Sequence, residues 1–550
     1  MKLIPYSTLG LFIAVLFTAV AEAKKQKNAP SAPDALKAIA AEDWDYAKAR
    51  HLLWRAGFGG TPQEIEKLHK MGLKKAVDYL VDYQAIPPME TDVEIVPDMP
   101  QMSDFLEKKG MDARFSKKRK DFTEEENKKY YQLRREFKKQ RNRSESGRFR
   151  DVRGLWMKRM AESQRPLEEK MVLFWHGLLV SSYRPFKMSY ALHNQNELFR
   201  EHAAGNYGEL MHGLVHDAMM LRYLDNNTNV KGKPNENLAR EIMELFSMGE
   251  GQGYTEHDIV EAARALTGNS FNRKTGEFVF TKKKHDDGEK TIFGVTGKFN
   301  GDDLVDLILK QSSTSKYVTG KTFTFFAHSD PDDAVVNALA AKLRKSNYEM
   351  APVLKTIFRS KAFYSDAAMG TQVKSPVQLV VGVVRSLGIE NADYVTQLRE
   401  ADGMEQEVFN PPNVKGWEGG SAWVNTNTIF KRQNFSGWIA TRKVIHEGEG
   451  KKGYRGVDLV GLLKGKQLDT SEAVVDYFAK AIFSVKISEQ DRQKLVAYLD
   501  KIGPLPPSAE WKNLPEKKKK KRAKAAGVNV SQTLLDLLVL MMSMPEYQVS

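Results

Sequence analysis

Cysteine is absent from the 550 residues of this sequence. The chain therefore has no disulfide, no thiolate nucleophile and no sulfur-ligated metal site. Its stability has to come from packing, and a chain of this length can bury a large hydrophobic core.

Several motifs that mark cofactor or nucleophile chemistry are also missing. The sequence has no Gly-x-Ser-x-Gly elbow, no dinucleotide-binding fingerprint and no haem or iron–sulfur signature. The glycines at 249, 251 and 253 lack the Gly-Lys-Ser/Thr of a phosphate loop, so they predict a turn between helices. The enzymatic options that remain are cofactor-free acid–base chemistry and a hard divalent metal.

Long apolar runs are scarce as well. The run from Leu9 to Ala21 is shorter than the stretch of about 20 residues that spans a bilayer. Lys2 precedes this run, and Ala21-Glu22-Ala23 ends it with a small-x-small pattern. Residues 1–23 therefore predict a cleaved signal peptide, with a retained N-terminal anchor as the alternative. We expect an exported protein that is periplasmic, at the cell surface or secreted.

Positive charge is in excess and is unevenly distributed. The formal net charge is +14, and seven cations fall within Lys517–Lys524. A second charged tract covers residues 108–159. Such tracts suit an anionic polysaccharide or a membrane surface, although a solvated helix or flexible insertion without a partner explains them too. Nucleic acid is not expected, because the chain shows an export signal and no recognised binding module.

Apolar periodicity along the chain is mostly that of helices. After a polar linker at 24–43, a single domain is expected over 44–550, with an N-terminal helical part to 164, a central core at 165–300 and a C-terminal part from 301. The strand-like segments Phe278-Val279-Phe280 and Thr291-Ile292-Phe293 predict one hairpin near 277–294. The predicted fold is a large, mainly α multi-helix assembly with this minor β-hairpin.

A series of sequence blocks, in order, carries a family resemblance. They are HLLWRAGFGG (51–60), PLEEKMVLFWHGLL (166–179), QNELFREHAAGNYGEL (195–210), LDNNTNVKGKPNENLAREIMELFSMGEG (224–251), YTEHDIVEAARALTG (254–268), HDDGEK (285–290), FNPPNVKGWEGGSAW (409–423) and MPEYQ (544–548). The chain resembles the bacterial "domain of unknown function 1800" family. The resemblance implies export and, as a partner, an exported neighbour related to sulfatases, but no established activity.

Two positions depart from the family pattern. The family usually has His-x-His after its Phe-Trp pair, whereas here His176 is followed by Gly177 and Leu178. The family's Asp-Pro-Ala-Met-Leu block is Asp217-Ala218-Met219-Met220-Leu221 here, without the proline. The first departure removes a natural pair of metal ligands and weakens any metal site carried over from the family.

The densest polar cluster lies in PNENLAREIMELF at 234–246. On a helix, Glu236, Arg240 and Glu244 share one face at i, i+4 and i+8, with Glu241 beside them. An ion-pair ladder explains this spacing without chemistry. Crowded, half-buried carboxylates can also split their pKa values and act as acid and base, and Glu241 with Glu244 can share a hard cation.

Histidines supply further candidates. His176 lies in an apolar helix, where a neutral imidazole can accept a proton or metal, or simply bond to the backbone within the core. His285 and Asp286 lie in a tight His-Asp-Asp-Gly turn, which turn-forming aspartates alone can explain. Which metal, if any, is bound stays open.

Amides and aromatic residues are assigned to substrate binding. Asn410-Pro411-Pro412, with Trp417 and Trp423, predicts a rigid aromatic loop that can stack a sugar ring or plug the core. The asparagines assigned with this loop are Asn226, Asn235 and Asn237.

Two functions follow as hypotheses. The first is an extracytoplasmic hydrolase or lyase that acts on polysaccharide through Glu236, Glu241, Glu244, His176 and His285, with Arg240 holding an anionic group. The second is a non-catalytic scaffold or accessory protein that binds acidic polymer or a neighbouring exported enzyme. Carboxylates lining one pocket with His176 or His285 favour the enzyme. Carboxylates paired with Arg240 in a closed interior favour the scaffold.

The basic segment 515–526 generates a first prediction. It cannot bury an apolar face, so we expect an exposed loop or frayed helix whose cations attract anionic lipid or polymer. Deleting residues 516–524 should leave the fold intact and weaken retention on anionic membranes or acidic polysaccharide at low salt. The measurement is retention across a salt titration, and equal retention of variant and parent would exclude this segment as the binding element.

Overall fold

Helices begin at the capping residues that the sequence supplies. The computed structural model describes residues 32–91, 95, 101–111, 115, 121–389, 392–441, 443–446, 453–456, 459, 463, 466, 468–502 and 530–550. Capping boxes at Thr61, Thr123, Thr255, Asn300 and Ser375 open five of its helices. The mainly α prediction is confirmed. The predicted signal peptide and the basic segment 515–526 lie outside the described residues.

The N-terminal helices pack into the main hydrophobic core. They are α1 (Ala32–Ala35), α2 (Tyr46–Arg55), α3 (Pro62–Val81), α4 (Met102–Lys108) and α5 (Glu124–Glu162). Ordered contacts start before Trp44, inside the segment predicted as a linker, because Ala35 is buried and the Ile39 amide donates to Arg359 O at 3.0 Å. Helix α5 is 39 residues long, and its last third carries Trp156 and Met160 into the core.

The central helices surround the predicted site region. They are α6 (Pro166–Leu178), α7 (Tyr183–Phe186), α8 (Ser189–Glu201), α9 (Tyr207–His216), α10 (Ala218–Tyr223), α11 (Asn237–Glu241) and α12 (Glu256–Ala265). Helix α11 continues as a π-helix over Ile242–Ser247. Helix α6 is buried on nearly every side and packs against α8, as its apolar composition predicts.

Strand pairing differs from the prediction. The strands are β1 (Asn269–Phe271), β2 (Phe278–Phe280), β3 (Lys290–Ile292) and β4 (Val295–Gly297). The segments expected to pair with each other instead form two separate hairpins, β1 with β2 and β3 with β4. The reason is a two-residue turn at Phe293 and Gly294, both with positive φ (51° and 74°), which returns the chain at once onto β3.

The C-terminal half completes the core. Its elements are α13 (Gly301–Lys310), α14 (Ser312–Phe326), α15 (Asp333–Lys345), α16 (Met350–Arg359), α17 (Pro376–Leu387), α18 (Tyr394–Gly403), α19 (Thr426–Thr441), β5 (Lys443–His446), β6 (Gly453–Gly456), α20 (Ser471–Ile482), α21 (Glu489–Ile502), α22 (Val530–Met542) and α23 (Pro545–Gln548). One hydrophobic cluster runs from Ala35 to Tyr547. In the described part of the chain, no helix has the length and apolar character needed to cross a membrane.

Buried arginines join distant parts of this core through main-chain carbonyls. Arg55 donates to Phe326 O at 2.9 Å, and to Ala327 O, at the end of α14. Arg385 donates to Gly59 O at 3.0 Å and to Ser163 O at 3.0 Å, just after α5. Helix ends leave carbonyls unsatisfied, so a buried guanidinium with five donors can close several of them at once.

Lys170 is a buried lysine with no such partner among the described residues. Its side chain is 1% exposed, and no hydrogen-bond partner of its Nζ is found within the described parts of the chain. The ammonium lies 4.9 Å from the ring centre of Phe58 and 5.6 Å from that of Phe325. Burial, with the nearby Arg55 charge, lowers the pKa of Lys170 well below its usual range.

This geometry predicts that Lys170→Met stabilises the protein. An unsatisfied buried donor costs about 1–3 kcal/mol, and methionine fills a similar volume without that cost. We expect the free energy of unfolding at pH 7 to rise by an amount in that range, measured by urea denaturation. Lys310→Met, at an exposed position, is the control and should change it by less than about 0.5 kcal/mol. A loss of stability in Lys170→Met would contradict the assignment.

Candidate functional site

Arg240 organises the predicted carboxylate cluster as a ladder of ion pairs. It contacts Glu236 at 3.1 Å and Glu244 at 3.2 Å on its own helical segment, and Glu256 at 2.8 Å on α12. The Arg240 side chain is 31% exposed, so the ladder lies at the surface and not in a closed interior. Glu236 with Arg240, and Arg240 with Glu244, are i, i+4 ion pairs, which is the non-catalytic explanation that the sequence spacing allowed.

Glu241 lies beside the ladder and is half-buried. Burial raises the pKa of Glu241, and the neighbouring negative charge of Glu244 adds to this effect, while Arg240 and Lys415 oppose it. The surroundings of Glu241 therefore favour its protonated form.

The π-helix that follows is stabilised by hydroxyl groups. Ser247 Oγ donates to Ile242 O at 2.6 Å, Tyr207 OH donates to Phe246 O at 2.7 Å, and Tyr317 OH donates to Leu245 O at 2.7 Å. A π-helix shifts its carbonyls out of the usual α register, and such segments recur at functional sites. Here it turns Glu244 and Leu245 towards a cleft.

His176 is a core residue. Its ring is 1% exposed, and its Nε2 accepts a hydrogen bond from the Phe409 amide at 3.0 Å. The proton of the neutral ring is therefore on Nδ1. The rings of Trp156, Phe409 and Trp417 lie around it at 5.3, 5.3 and 5.5 Å between centres. Burial lowers the pKa of His176 to about 3, so the imidazole is neutral at physiological pH.

His285 and Asp286 form part of a hydrogen-bonded turn. His285 Nδ1 donates to Thr267 O at 2.9 Å, and Asp286 accepts from Arg264 Nε at 2.8 Å. The buried Lys290 closes the turn by donating to Gly288 O at 3.0 Å. The Arg264 bond is the main cause that lowers the pKa of Asp286 to about 2.

The predicted asparagines hold loops in place. Asn226 Nδ2 donates to Leu266 O and Asn269 O, both at 3.2 Å. Asn235 Oδ1 accepts from the Asn237 amide at 3.1 Å. Asn410 Oδ1 accepts from Ser182 Oγ at 3.1 Å and its Nδ2 donates to Glu407 at 2.7 Å.

A cleft of about 800 Å³, lined by apolar, aromatic and polar side chains, brings together a different set of residues. Its walls come from α6, the π-helix and the turn after it, α14, the start of α17 and the loop 414–423. Of the predicted site residues, Glu244, Trp417 and Trp423 line it, and the other predicted residues are not among the described lining residues. Leu178, at the position of the missing second histidine, lines it too.

The loop that carries Trp417 lies directly on α6. A Cβ at Gly416 would lie 2.3 Å from Gly177 O, and the φ of Gly416 is +80°, so only glycine fits this contact. His176 packs behind the Trp417 ring. The two residues therefore belong to one structure, with the histidine supporting the cleft wall and the tryptophan forming it.

Three glutamines of the cleft were missed by the sequence analysis. Gln378 Oε1 accepts from the Ser375 amide at 2.9 Å, and Gln406 Oε1 accepts from the Val377 amide at 2.9 Å. These bonds fix each amide so that its Nε2 is the free end, and the structure gives neither Nε2 a partner within the described residues. Gln372 instead donates to Thr324 O at 2.9 Å. Only the capping box at Ser375 and Gln378 was visible in the sequence, and it indicates a helix start, not a cleft.

Charged groups of the cleft join its opposite walls. Lys415 contacts Glu250 at 2.7 Å, linking the aromatic loop to the glycine turn at 249–253, where all three glycines have positive φ. This bond is the main cause that lowers the pKa of Glu250. Among the described residues, no group of three or more His, Asp or Glu side chains is arranged to hold a metal ion.

The comparisons with known proteins give a family and nothing narrower. The family described as "Protein of unknown function (DUF1800)" matches residues 51–549. The chain belongs to this family. A comparison of this DUF1800 chain with curated proteins found no match, and a comparison with solved structures found none either. All the cleft residues fall inside the matched range.

The buried imidazole predicts a pH dependence of stability. His176 has a pKa of about 3 in the fold, against roughly 6.5 when unfolded, so the unfolded chain binds the extra proton. Its contribution is fully present above pH ~6.5 and is lost as pH falls towards 3, by about 1.4 kcal/mol per unit. His176→Gln, which keeps an acceptor, should be less stable at pH 7 but have a shallower slope between pH 6.5 and 4 in urea titrations.

The control is His257→Gln, because His257 is exposed and should leave the slope unchanged. Parallel slopes for the parent and His176→Gln would show that His176 is not the neutral buried group described above.

Proposed function

We propose that this protein binds carbohydrate in the cleft, as a non-catalytic accessory or scaffold protein. The observation that carries the proposal is the combination of aromatic faces with free amide donors in one cleft: Trp417, Trp423, Gln378 and Gln406. Sugar rings present apolar C–H faces to aromatic rings and hydroxyls to polar groups, so a carbohydrate site needs both.

Trp417 is the central contact. It is only partly buried, and its ring is held from behind by His176 and by the close approach of Gly416 to Gly177. A ring fixed in advance loses little freedom when it stacks on a ligand. Trp423 is 8% exposed, and its carbonyl accepts from Arg432 Nε at 3.1 Å, so it forms a fixed edge of the cleft.

Hydrogen-bonding groups surround the aromatic faces. The Nε2 groups of Gln378 and Gln406 can donate to sugar hydroxyls, and Glu418 can accept from them. Lys321, whose ammonium lies 5.2 Å from the Tyr317 ring centre, adds a cation to the same cleft. These groups suit a ligand with many hydroxyls and few apolar substituents.

The pairing of the carboxylates supports binding over hydrolysis. Glu244 is held by Arg240, and Glu250 is held by Lys415, which lowers the pKa of Glu250. Sugar hydrolysis needs one carboxyl that stays protonated and a second that stays ionised, flanking the scissile bond. His176 and His285 are both engaged in bonds outside this cleft.

A hydrolase or lyase is the second candidate, and Glu241 favours it. Its pKa is raised by burial and by Glu244, which lines the cleft. A carboxyl that stays protonated next to an ionised one is the arrangement used for general acid catalysis. Export and an exported sulfatase-like partner remain predictions under either function.

The test is a titration of the full mature chain with a panel of neutral and acidic oligosaccharides, followed by tryptophan fluorescence and calorimetry. At least one glycan should bind saturably, and Trp417→Ala should raise its Kd about tenfold, or ~1.4 kcal/mol. Trp417→Phe keeps a ring and should recover part of the loss. Phe430→Ala, at an exposed aromatic outside the cleft, is the control and should leave the Kd unchanged.

Saturable binding by none of the panel, or equal Kd values for the parent and Trp417→Ala, would refute the proposal. The same panel decides between the two candidates when products are analysed. Cleavage by the parent that is lost in Glu241→Gln, with the glycan Kd retained, would establish the enzyme instead of the binding protein.

A further inference from the structure

A helical arm extends from the main core. It comprises α4 and the first two-thirds of α5, and it has a small hydrophobic cluster of its own, formed by Phe105, Leu106, Phe115 and Leu133. This cluster is separate from the main one, which α5 joins only from Phe149 onward. The arm therefore uses its apolar side chains internally and presents its remaining faces to solvent.

The middle of α5, which follows its acidic first turn at Glu124–Glu126, is strongly basic. Residues 127–150 contain ten lysines and arginines against two carboxylates, a net charge of +8. Both carboxylates are engaged: Glu136 contacts Lys109 at 3.5 Å, and the buried Glu145 accepts from the Ser189 amide at 2.6 Å. Glu145 also pairs with Arg148 at 3.3 Å. Among the described residues, Arg148 is the only cation of residues 127–150 that either carboxylate pairs with.

Part of this charge forms a continuous basic stripe, which we define as Arg135, Lys139, Asn142, Arg143, Ser146 and Arg150. Successive members are one to four residues apart, so the stripe follows one face of α5, and its residues line a shallow depression of about 660 Å³. Within the described part of the chain, no ion pair is formed by the four cations of the stripe.

Such a stripe has an energetic cost in the free protein. Like charges at i and i+4, as at Arg135, Lys139 and Arg143, repel each other and destabilise an isolated helix. An anionic partner removes this repulsion and releases counterions when it binds. The stripe spans 16 residues of helix, and its first and last Cα atoms are about 22 Å apart at 1.5 Å per residue, so it matches an extended partner and not a single small anion.

We propose that the basic stripe binds a strand of acidic polysaccharide, at a site distinct from the cleft. The guanidinium groups of Arg135, Arg143 and Arg150 can form paired hydrogen bonds with carboxylate or sulfate groups. Asn142 and Ser146 lie between them and supply the donors and acceptors that sugar hydroxyls need. Charge and hydroxyl recognition alternate along the same line, as they do along the polymer.

Two other polyanions fit the stripe less well. A membrane-bound helix inserts an apolar face, whereas the arm packs most of its large apolar side chains in its own cluster and leaves a single large aromatic side chain, Tyr131, exposed within the described residues. Single-stranded nucleic acid is held by aromatic rings that stack on bases, and no aromatic residue is part of the stripe. Both are tested as competing outcomes.

The experiment measures retention of the full mature chain on immobilised polygalacturonate, with neutral dextran as the uncharged reference, across a salt titration. The test variant combines Arg135→Gln, Lys139→Gln and Arg143→Gln, and the control variant replaces the three exposed lysines 282–284 by glutamine, which removes the same charge. At low salt the test variant should bind about tenfold more weakly than the parent, and its affinity should depend less steeply on salt. The control variant should stay within about twofold of the parent.

Equal losses in the two variants would overturn the proposal, because net charge alone would then account for retention. Tighter binding of the parent to duplex or single-stranded DNA, or to vesicles of anionic lipid, than to polygalacturonate at the same salt would also overturn it. Failure of oligosaccharides to bind in the cleft leaves this result unaffected, since the variants change no cleft residue.

Discussion

Hydrogen bonds from buried guanidinium groups to main-chain carbonyls hold this cysteine-free chain together where its helices end. Arg55 joins the end of α14 to α2, and Arg385 joins the end of α5 to α17. Arg432 does the same beneath the cleft, where it donates to Lys374 O at 2.8 Å and to Trp423 O at 3.1 Å. The cleft walls at 375 and 423 are thus fixed by one side chain. Only a donor with several N–H groups can satisfy such carbonyls together, because a carboxylate, like a carbonyl, only accepts hydrogen bonds.

Local features of the fold were readable in the sequence because they depend on neighbouring residues. The capping box at Thr255, the proline start of α6 and the i, i+4 spacing around Arg240 all involve residues within a few positions of each other. Strand pairing was not readable. The segment 278–280 pairs with the less strand-like Asn269–Phe271, because the turn at Phe293 and Gly294 returns the chain onto 290–292 and leaves that segment paired with 295–297.

The cleft was only partly predictable for a similar reason. Trp417 and Trp423 stood out because large aromatic residues in a proline- and glycine-rich loop are unusual, and Glu244 because it lies in a charged cluster. Gln372 and Gln378 lie six residues apart, whereas Gln406 is distant in the sequence. Apart from the capping box of Ser375 and Gln378, which marks a helix start, nothing local distinguishes the three from surface glutamines. The π-helix depends on the hydroxyls of Tyr207 and Tyr317, which are distant in sequence. The catalytic role of the carboxylates and histidines named in the sequence analysis stays a prediction.

The continuity of α5 has a mechanical consequence. Its 39 residues form a rod of about 58 Å, with the stripe along its outer part and Trp156 near its inner end. Trp156 packs on His176, and His176 packs on Trp417. A lateral force on the outer part of α5 is opposed by the contacts that its last third makes with the main core. Tension in a bound polymer would therefore be transmitted to the same edge-to-face aromatic contacts that support the wall of the cleft.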